Sequence, residues 1–371
     1  MASATAARHV HIEALQTALP TRKVEPGRAR PVSVAAPPLP AAALQRRARV
    51  VLYYRAVAGA GVPWGQEEAL LVKESLSEAV ADHPEMAGRL RRRADGSWEV
   101  KLNDTGVRLV LATVEASVDD FVGGGEEGRE RREAALVPWT DVDAEDPDMC
   151  ALCFVQLTRF QGDGGYAVGV SCSLMLCDPL ALARFLLSWA RVHAEIKARD
   201  KAATIPMMQY AGYFQNPGTM TRRIRSVPLD AFAAADAAGT ETVLFRAAAG
   251  GGALDHRALA RACVDEASER LGAGKAPRSF SLVAVARDGV GGNPRGMTVE
   301  TCAAGDSLPA SGGSGHELEV AQWQELGLEE FALRESKPVH VSYSIVTGGD
   351  EALVVVIPDG KGFLVTATVP K

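Results

Sequence analysis

The clearest patterning in the chain lies over residues 165–189. Gly165-Tyr166-Ala167-Val168-Gly169-Val170 is a short apolar run bounded by glycine, the mark of a buried strand. Beyond residue 178 the period changes, and Leu182, Phe185, Leu186 and Trp189 recur at helical spacing. Pro179 stands where a first helical turn tolerates proline, and Asp178 before it is placed as the N-cap. The stretch predicts strand, tight turn and helix, with residues 174–178 at the corner.

The same reading extends to the rest of the chain. Residues 8–19 predict a strand, followed over residues 20–43 by a connector rich in Pro and Ala without helical period. Residues 49–57 predict a strand. Leu70, Leu71, Ser75, Leu76, Ala79 and Val80 share one face of an amphipathic helix over residues 67–81, which His83-Pro84 ends. The glycines at 123–125 lie in an acidic stretch, which reads as a loop and not as a phosphate cradle. Residues 153–160 and 166–173 predict neighbouring strands, and residues 181–198 complete the helix. The pattern loosens over residues 199–240. Past it come a strand at 241–246, a Gly-rich turn at 250–252 and a helix at 255–271 with Asp255 as its cap. Five strands follow, at 279–286, 297–301, 339–347, 352–357 and 362–369.

Composition narrows the class. At 371 residues, 47% hydrophobic and 23% charged, the chain has the make-up of a globular protein large enough for two modest domains. A net charge of −6 argues against nucleic acid as the main partner. No apolar run approaches the length of a membrane span. Residues 1–7 are small and polar, but the alternating Val10, Ile12 and Ala14 suggest that the first strand begins almost at once, so a cytoplasmic monomer is the expectation. Of the six cysteines, Cys150-x-x-Cys153 and Cys172-x-x-x-x-Cys177 could be drawn as a four-thiolate zinc site. Residues three apart on extended chain point to opposite faces, so buried free thiols are expected, with neither metal nor structural disulfide.

The corner resembles the signature of plant BAHD acyltransferases, in which a strand ends in His-x-x-x-Asp-Gly and a helix ending in Phe-x-x-x-Trp-Ala follows. The likeness runs through Gly164-Gly165, Asp178, Phe185, Trp189 and Ala190. It is strong again at Val72-Lys73-Glu74-Ser75-Leu76-Ser77 and at Pro84-Glu85-Met86-Ala87-Gly88-Arg89-Leu90, similar to the family's "LKxSLS" and "PxAGRL" segments. Trp323, Gly327, Lys337 and Pro338 keep the register of the late Asp-Phe-Gly-Trp-Gly-Lys-Pro motif, but its first five residues stand here as Ala332, Leu333, Arg334, Glu335 and Ser336. Only about thirty residues separate Gly292-Asn293 from Trp323, where the family fits a pair of helices. The resemblance implies a two-domain, chloramphenicol-acetyltransferase-like α/β fold of two mixed sheets with flanking helices and a channel between them. It divides the chain into a domain over residues 1–198, a crossover over 199–240 and a shortened second domain over 241–371.

The resemblance also implies chemistry, and one position withholds it. The family's histidine is the general base that deprotonates the acyl acceptor. This chain has Leu174 there, and Pro179 in place of the motif's glycine. Loss of a positioned base costs about 10²–10⁴-fold in rate. The family's aspartate is structural and survives as Asp178; a one-residue shift would make Arg287 the arginine that pairs with it. Cys172 is a weak candidate nucleophile, with no His or Asp in the motif to activate it. His83, His193 and His340 have no claim from spacing to the base role. Trp189, Lys337 and Pro338 are structural motif positions.

Three readings of function remain open. The first is a BAHD-like protein defective in ordinary acyl transfer, acting by binding a small molecule or a protein partner without a cofactor; wax-synthesis BAHD-like proteins are the precedent that the resemblance supplies. The second is an active acyltransferase, or a lyase-like relative, taking acyl-CoA as donor and using a non-standard or substrate-assisted base. The third is a decaying gene copy.

Overall fold

The apolar runs become strands buried on both faces, which explains why they read as continuous rather than alternating. The computed structural model describes residues 8–35, 37–56, 66–123, 126–202, 224–232, 239–248, 255–272, 276–287, 294–303, 318–334 and 336–370. In chain order the elements of the first half are β1 (His9–Ala18), β2 (Ala29–Val34), α1 (Ala41–Leu44), β3 (Arg47–Tyr54), α2 (Gln66–Asp82), β4 (Arg89–Arg92), β5 (Trp98–Lys101) and β6 (Val107–Val114). Then come α3 (Val118–Val122), α4 (Glu126–Glu133), β7 (Cys153–Phe160), β8 (Tyr166–Ser173) and α5 (Pro179–Ala202). The second half holds β9 (Arg225–Pro228), β10 (Thr240–Ala248), α6 (His256–Arg270), β11 (Ser279–Arg287), β12 (Pro294–Ala303), β13 (Leu318–Ala321), β14 (His340–Val346), β15 (Ala352–Asp359) and β16 (Gly362–Pro370).

These strands form two mixed sheets. The first runs β14-β3-β8-β7-β6-β1-β9, and the second β13-β10-β16-β15-β11-β12-β2-β5-β4. The sheets exchange strands between the halves of the chain. β14, from near the C-terminus, pairs antiparallel with β3, while β2, β5 and β4 extend the second sheet beyond β12. The main core lies between the sheets and against α2 and α5, joining Leu52, Leu76, Leu174, Phe185 and Trp189 to Val283, Leu353 and Leu364. Alternate residues of β3 divide between two cores: Val50, Leu52 and Tyr54 face the main one, Val51 and Tyr53 a smaller one with Phe121 and Phe160. A third core packs α6 on the outer face of the second sheet through Leu259, Cys263, Phe280 and Val354. Among the described residues no helix is long and apolar enough to cross a membrane.

Several expectations need correction. The connector over residues 20–43 contains β2 and α1. Pro31 fits in β2 because it faces Glu99 of β5, while pairing with β12 starts only at Val32, so the missing N–H falls outside that ladder. The acidic stretch read as a loop forms α4 beyond its glycines, with Arg129 and Glu133 one turn apart at 3.8 Å. The loosened segment contributes β9, which pairs with His9–Ile12 of β1; most of it, the Gly-rich turn at 250–252 and Gly292-Asn293 lie outside the described residues. β13, four residues long, pairs with β10 at the edge of the second sheet and has no period of its own in the sequence.

Candidate functional site

The corner begins at Ser173, the last residue of β8, which still pairs with Arg47 of β3. Ser173 N–H donates to Leu152 O at 2.8 Å, and the turn closes when Leu176 and Cys177 N–H donate back to Ser173 O at 2.9 and 3.1 Å. Asp178 then does what its position predicts: Oδ1 accepts from Ala181 N–H at 2.9 Å, capping α5 behind Pro179. Its other oxygen takes Arg287 Nη2 at 2.5 Å, and both side chains are almost fully buried. The one-residue shift needed for that pairing is therefore realised. β11 ends on Arg287, so the pair ties the second sheet to the first.

A second buried cation serves the same turn, and nothing in the sequence singled it out. Arg30 on β2 donates through Nη2 to Met175 O at 3.0 Å and also to Leu176 O. Burial lowers its pKa, while Cys177, Glu85 and Asp178 favour the charged form. Arg46 makes a parallel link, donating to Ser281 Oγ at 2.6 Å and to Thr347 O at 3.3 Å, with its pKa pushed down to about 10 by burial. Three arginines thus cross between the sheets around the corner.

Leu174, at the position of the expected base, is 1% exposed and part of the main core. Its N–H donates to Arg46 O at 3.0 Å. Around Leu174 the described residues Cys172, Met175, Leu176 and Cys177 are packed into the same core. The hollow bounded by Pro179, Leu182, Trp323, Leu328 and Tyr343 measures about 10 Å³, room for about one water. Trp323 and Tyr343 stack over it with ring centroids 5.1 Å apart.

Cys172 is not an exposed nucleophile. It is fully buried, its thiol is pushed well up by burial, and its Sγ lies 3.3 Å from that of Cys177. The candidate histidines are engaged elsewhere. His193 Nδ1 meets Ser75 Oγ at 3.0 Å, and burial, with Lys197 adding, lowers its pKa to about 4. It stands about 20 Å along α5 from the cap at a rise of 1.5 Å per residue. His83 packs edge-on against Phe185 at 5.5 Å, and His340 lies 5.9 Å from Tyr53. Trp189 is buried, donates to Ser75 Oγ at 3.0 Å and meets Phe331 at 5.3 Å.

The late loop is clamped onto the first sheet by two stacked tyrosines. Tyr54 OH donates to Phe331 O at 2.8 Å and Tyr166 OH to Leu333 O at 3.0 Å, their rings 4.4 Å apart. Arg334, where the motif has its first glycine, adopts φ +52°, a left-handed conformation that glycine takes without strain. Its Nε donates to Glu68 Oε1 at 2.5 Å. Glu335 lies outside the described residues. Lys337 is exposed and bonds Glu330 Oε1 at 2.8 Å, and Pro338 precedes Val339, whose N–H donates to Tyr53 O at 2.7 Å.

Comparison with known proteins agrees with this architecture. The sequence model of the Transferase family matches residues 63–248, half of the chain. Hydroxycinnamoyltransferase 1 of Oryza sativa subsp. japonica is 32% identical over 142 residues, 38% of this chain and 31% of that protein. Agmatine hydroxycinnamoyltransferase 1 of the same species is 33% identical over 39% of this chain and 30% of its own length. Protein ECERIFERUM 26-like of Arabidopsis thaliana is 28% identical over 42% of this chain and 35% of its own. The aligned stretch therefore spans about a third of these relatives. The crystal structure of vinorine synthase matches across 98% of this chain and 95% of that one, at a TM-score of 0.50 and 16% identity, which establishes the two-domain α/β fold. The chain belongs to the transferase family of that model, the BAHD acyltransferases.

Proposed function

We propose that this BAHD protein does not carry out ordinary acyl-CoA-dependent acyl transfer and acts by binding a small molecule or a protein partner. The observation that carries the reading is Leu174 at the base position, 1% exposed and packed into the main core. Leucine can neither accept a proton nor orient a nucleophile. The same reading takes the protein to be a cytoplasmic monomer.

A second reading has one observation in its favour. Asp178, its cap and its arginine are all retained, so the scaffold on which relatives such as the rice hydroxycinnamoyltransferases are built is kept. On that reading acyl-CoA is the donor and a substrate-assisted base replaces the histidine. Calorimetric titration with CoA and hydroxycinnamoyl-CoA, alongside an assay of free thiol release with alcohol and amine acceptors, separates the two. The binding reading expects no turnover and weak or absent CoA affinity. Low-micromolar CoA binding with turnover would transfer the assignment to the second.

A further inference from the structure

We propose that Cys172 and Cys177 are a redox-responsive pair that closes to a disulfide across the corner turn. The two sulfurs are already in contact at 3.3 Å, and a disulfide requires about 2.05 Å, so closure asks for a shift of little more than an ångström. The residues bracket the turn in a specific way. Cys172 is in β8 next to its last residue, Cys177 immediately precedes the capping Asp178, and the four residues between include Leu174 and the carbonyls that Arg30 holds. A cross-link there would fasten the end of the strand to the start of α5.

A third thiol attends the pair. Cys153 on β7 faces Cys172 in register and is within hydrogen-bond reach of it. Among the described residues no cluster of three or more His, Cys, Asp or Glu side chains is arranged to hold a metal ion. All three cysteines are free and buried, so in the closed corner they are shielded; reaction proceeds through a transient opening of the turn.

The oxidant is a low-molecular-weight disulfide. In the opened turn, where water relieves the burial that raises its pKa, Cys177 loses its proton and attacks one sulfur of that disulfide, forming a mixed disulfide and expelling one thiolate. Cys172 then loses its proton and attacks the Cys177 sulfur, releasing the second thiolate. Two protein thiols are oxidised by two electrons, and the oxidant becomes two thiols as it takes up the two protons.

The test incubates the full-length protein with oxidised and reduced glutathione, denatures it, alkylates the remaining thiols and counts them by mass. The expected outcome is four alkylated thiols where the reduced protein shows six, a Cys172–Cys177 cross-link in the peptide map, and reversal by a dithiol reductant. Cys177→Ala, which removes the sulfur without placing a polar group in the buried site, is expected to keep its five thiols free under the same treatment. Six unchanged thiols in the wild type, a stable glutathione adduct on one cysteine, or a cross-link between any other pair overturns the proposal. The wild-type measurement decides the matter even if the variant fails to fold.

Discussion

Arg287 Nη2 donates to Asp178 Oδ2 at 2.5 Å, and through that bond the last residue of β11 holds the cap of α5 on the opposite sheet. The other oxygen of the same carboxylate caps the helix. Asp178→Ala removes both interactions from a buried site. The expected loss is about 3–5 kcal/mol, the scale for breaking a buried ion pair, and more than a lost cap alone. Urea unfolding measures it. A double-mutant cycle with Arg287→Met should return a coupling above about 1 kcal/mol; purely additive losses would show that the pair does not join the sheets energetically.

Leu174→His is expected not to restore acyl transfer. The imidazole would enter a site that is 1% exposed and tightly packed, with Pro179 following the motif aspartate. Burying an imidazole without an assured partner should lower stability by about 1–3 kcal/mol. Melting of the variant together with a thiol-release assay on a panel of acyl-CoAs checks both parts. Robust turnover from this one change would mean that the donor and acceptor sites are intact.

At position 334 the backbone, not the side chain, sets the ranking of variants. Arg334→Ala and Arg334→Gly both lose the contact with Glu68, but only glycine relieves the left-handed φ of +52°. The glycine variant should therefore be the more stable of the two by about 1 kcal/mol. Denaturant midpoints of the pair provide the comparison. Equal midpoints would remove the claim of strain.

His193 predicts an acid limb in stability. Burial lowers its folded pKa to about 4 from an ordinary value of 6.5. Between those values the unfolded chain binds the proton that the folded one refuses, so stability present above pH 6.5 is lost as pH falls towards 4. The full effect is on the order of 3 kcal/mol. Melting temperatures from pH 7 to pH 4 should fall less steeply for His193→Gln than for the wild type. Parallel curves would show that His193 titrates normally.

The parts of the fold written in local spacing were legible, and the parts made by distant pairing were not. β8 runs from Tyr166 to Ser173 as its glycine-bounded apolar run indicates, and Asp255 caps α6 through Arg257 and Ala258 N–H, as its place before the helix suggested. β2 escaped because its partners, β5 and β12, come from far along the chain and a six-residue strand containing proline shows no period of its own. At the site, Asp178 could be read because its neighbours are sequential. Arg30 could not, since only the second sheet brings it to Met175 and Leu176. The meeting of Cys153, Cys172 and Cys177 depends on strand register, which spacing along the chain does not carry, whereas Cys150 and Cys153 diverge as their places three apart imply. Cys150 turns instead towards Asp143 N–H at 3.3 Å.

The exchange of β14 for β2, β5 and β4 bears on how this protein can be inherited and cut. Removing the last part of the chain takes an edge strand from the first sheet as well as the hairpin β15–β16 from the second. Removing the first hundred residues takes one wing of the second sheet together with β1 and β3 of the first. Neither half is a module that recombination could graft onto a relative, because each would arrive with open ladders and exposed apolar strands. A cut between the halves would part Asp178 from Arg287 and Arg46 from Ser281, so the corner stands or falls with the whole chain.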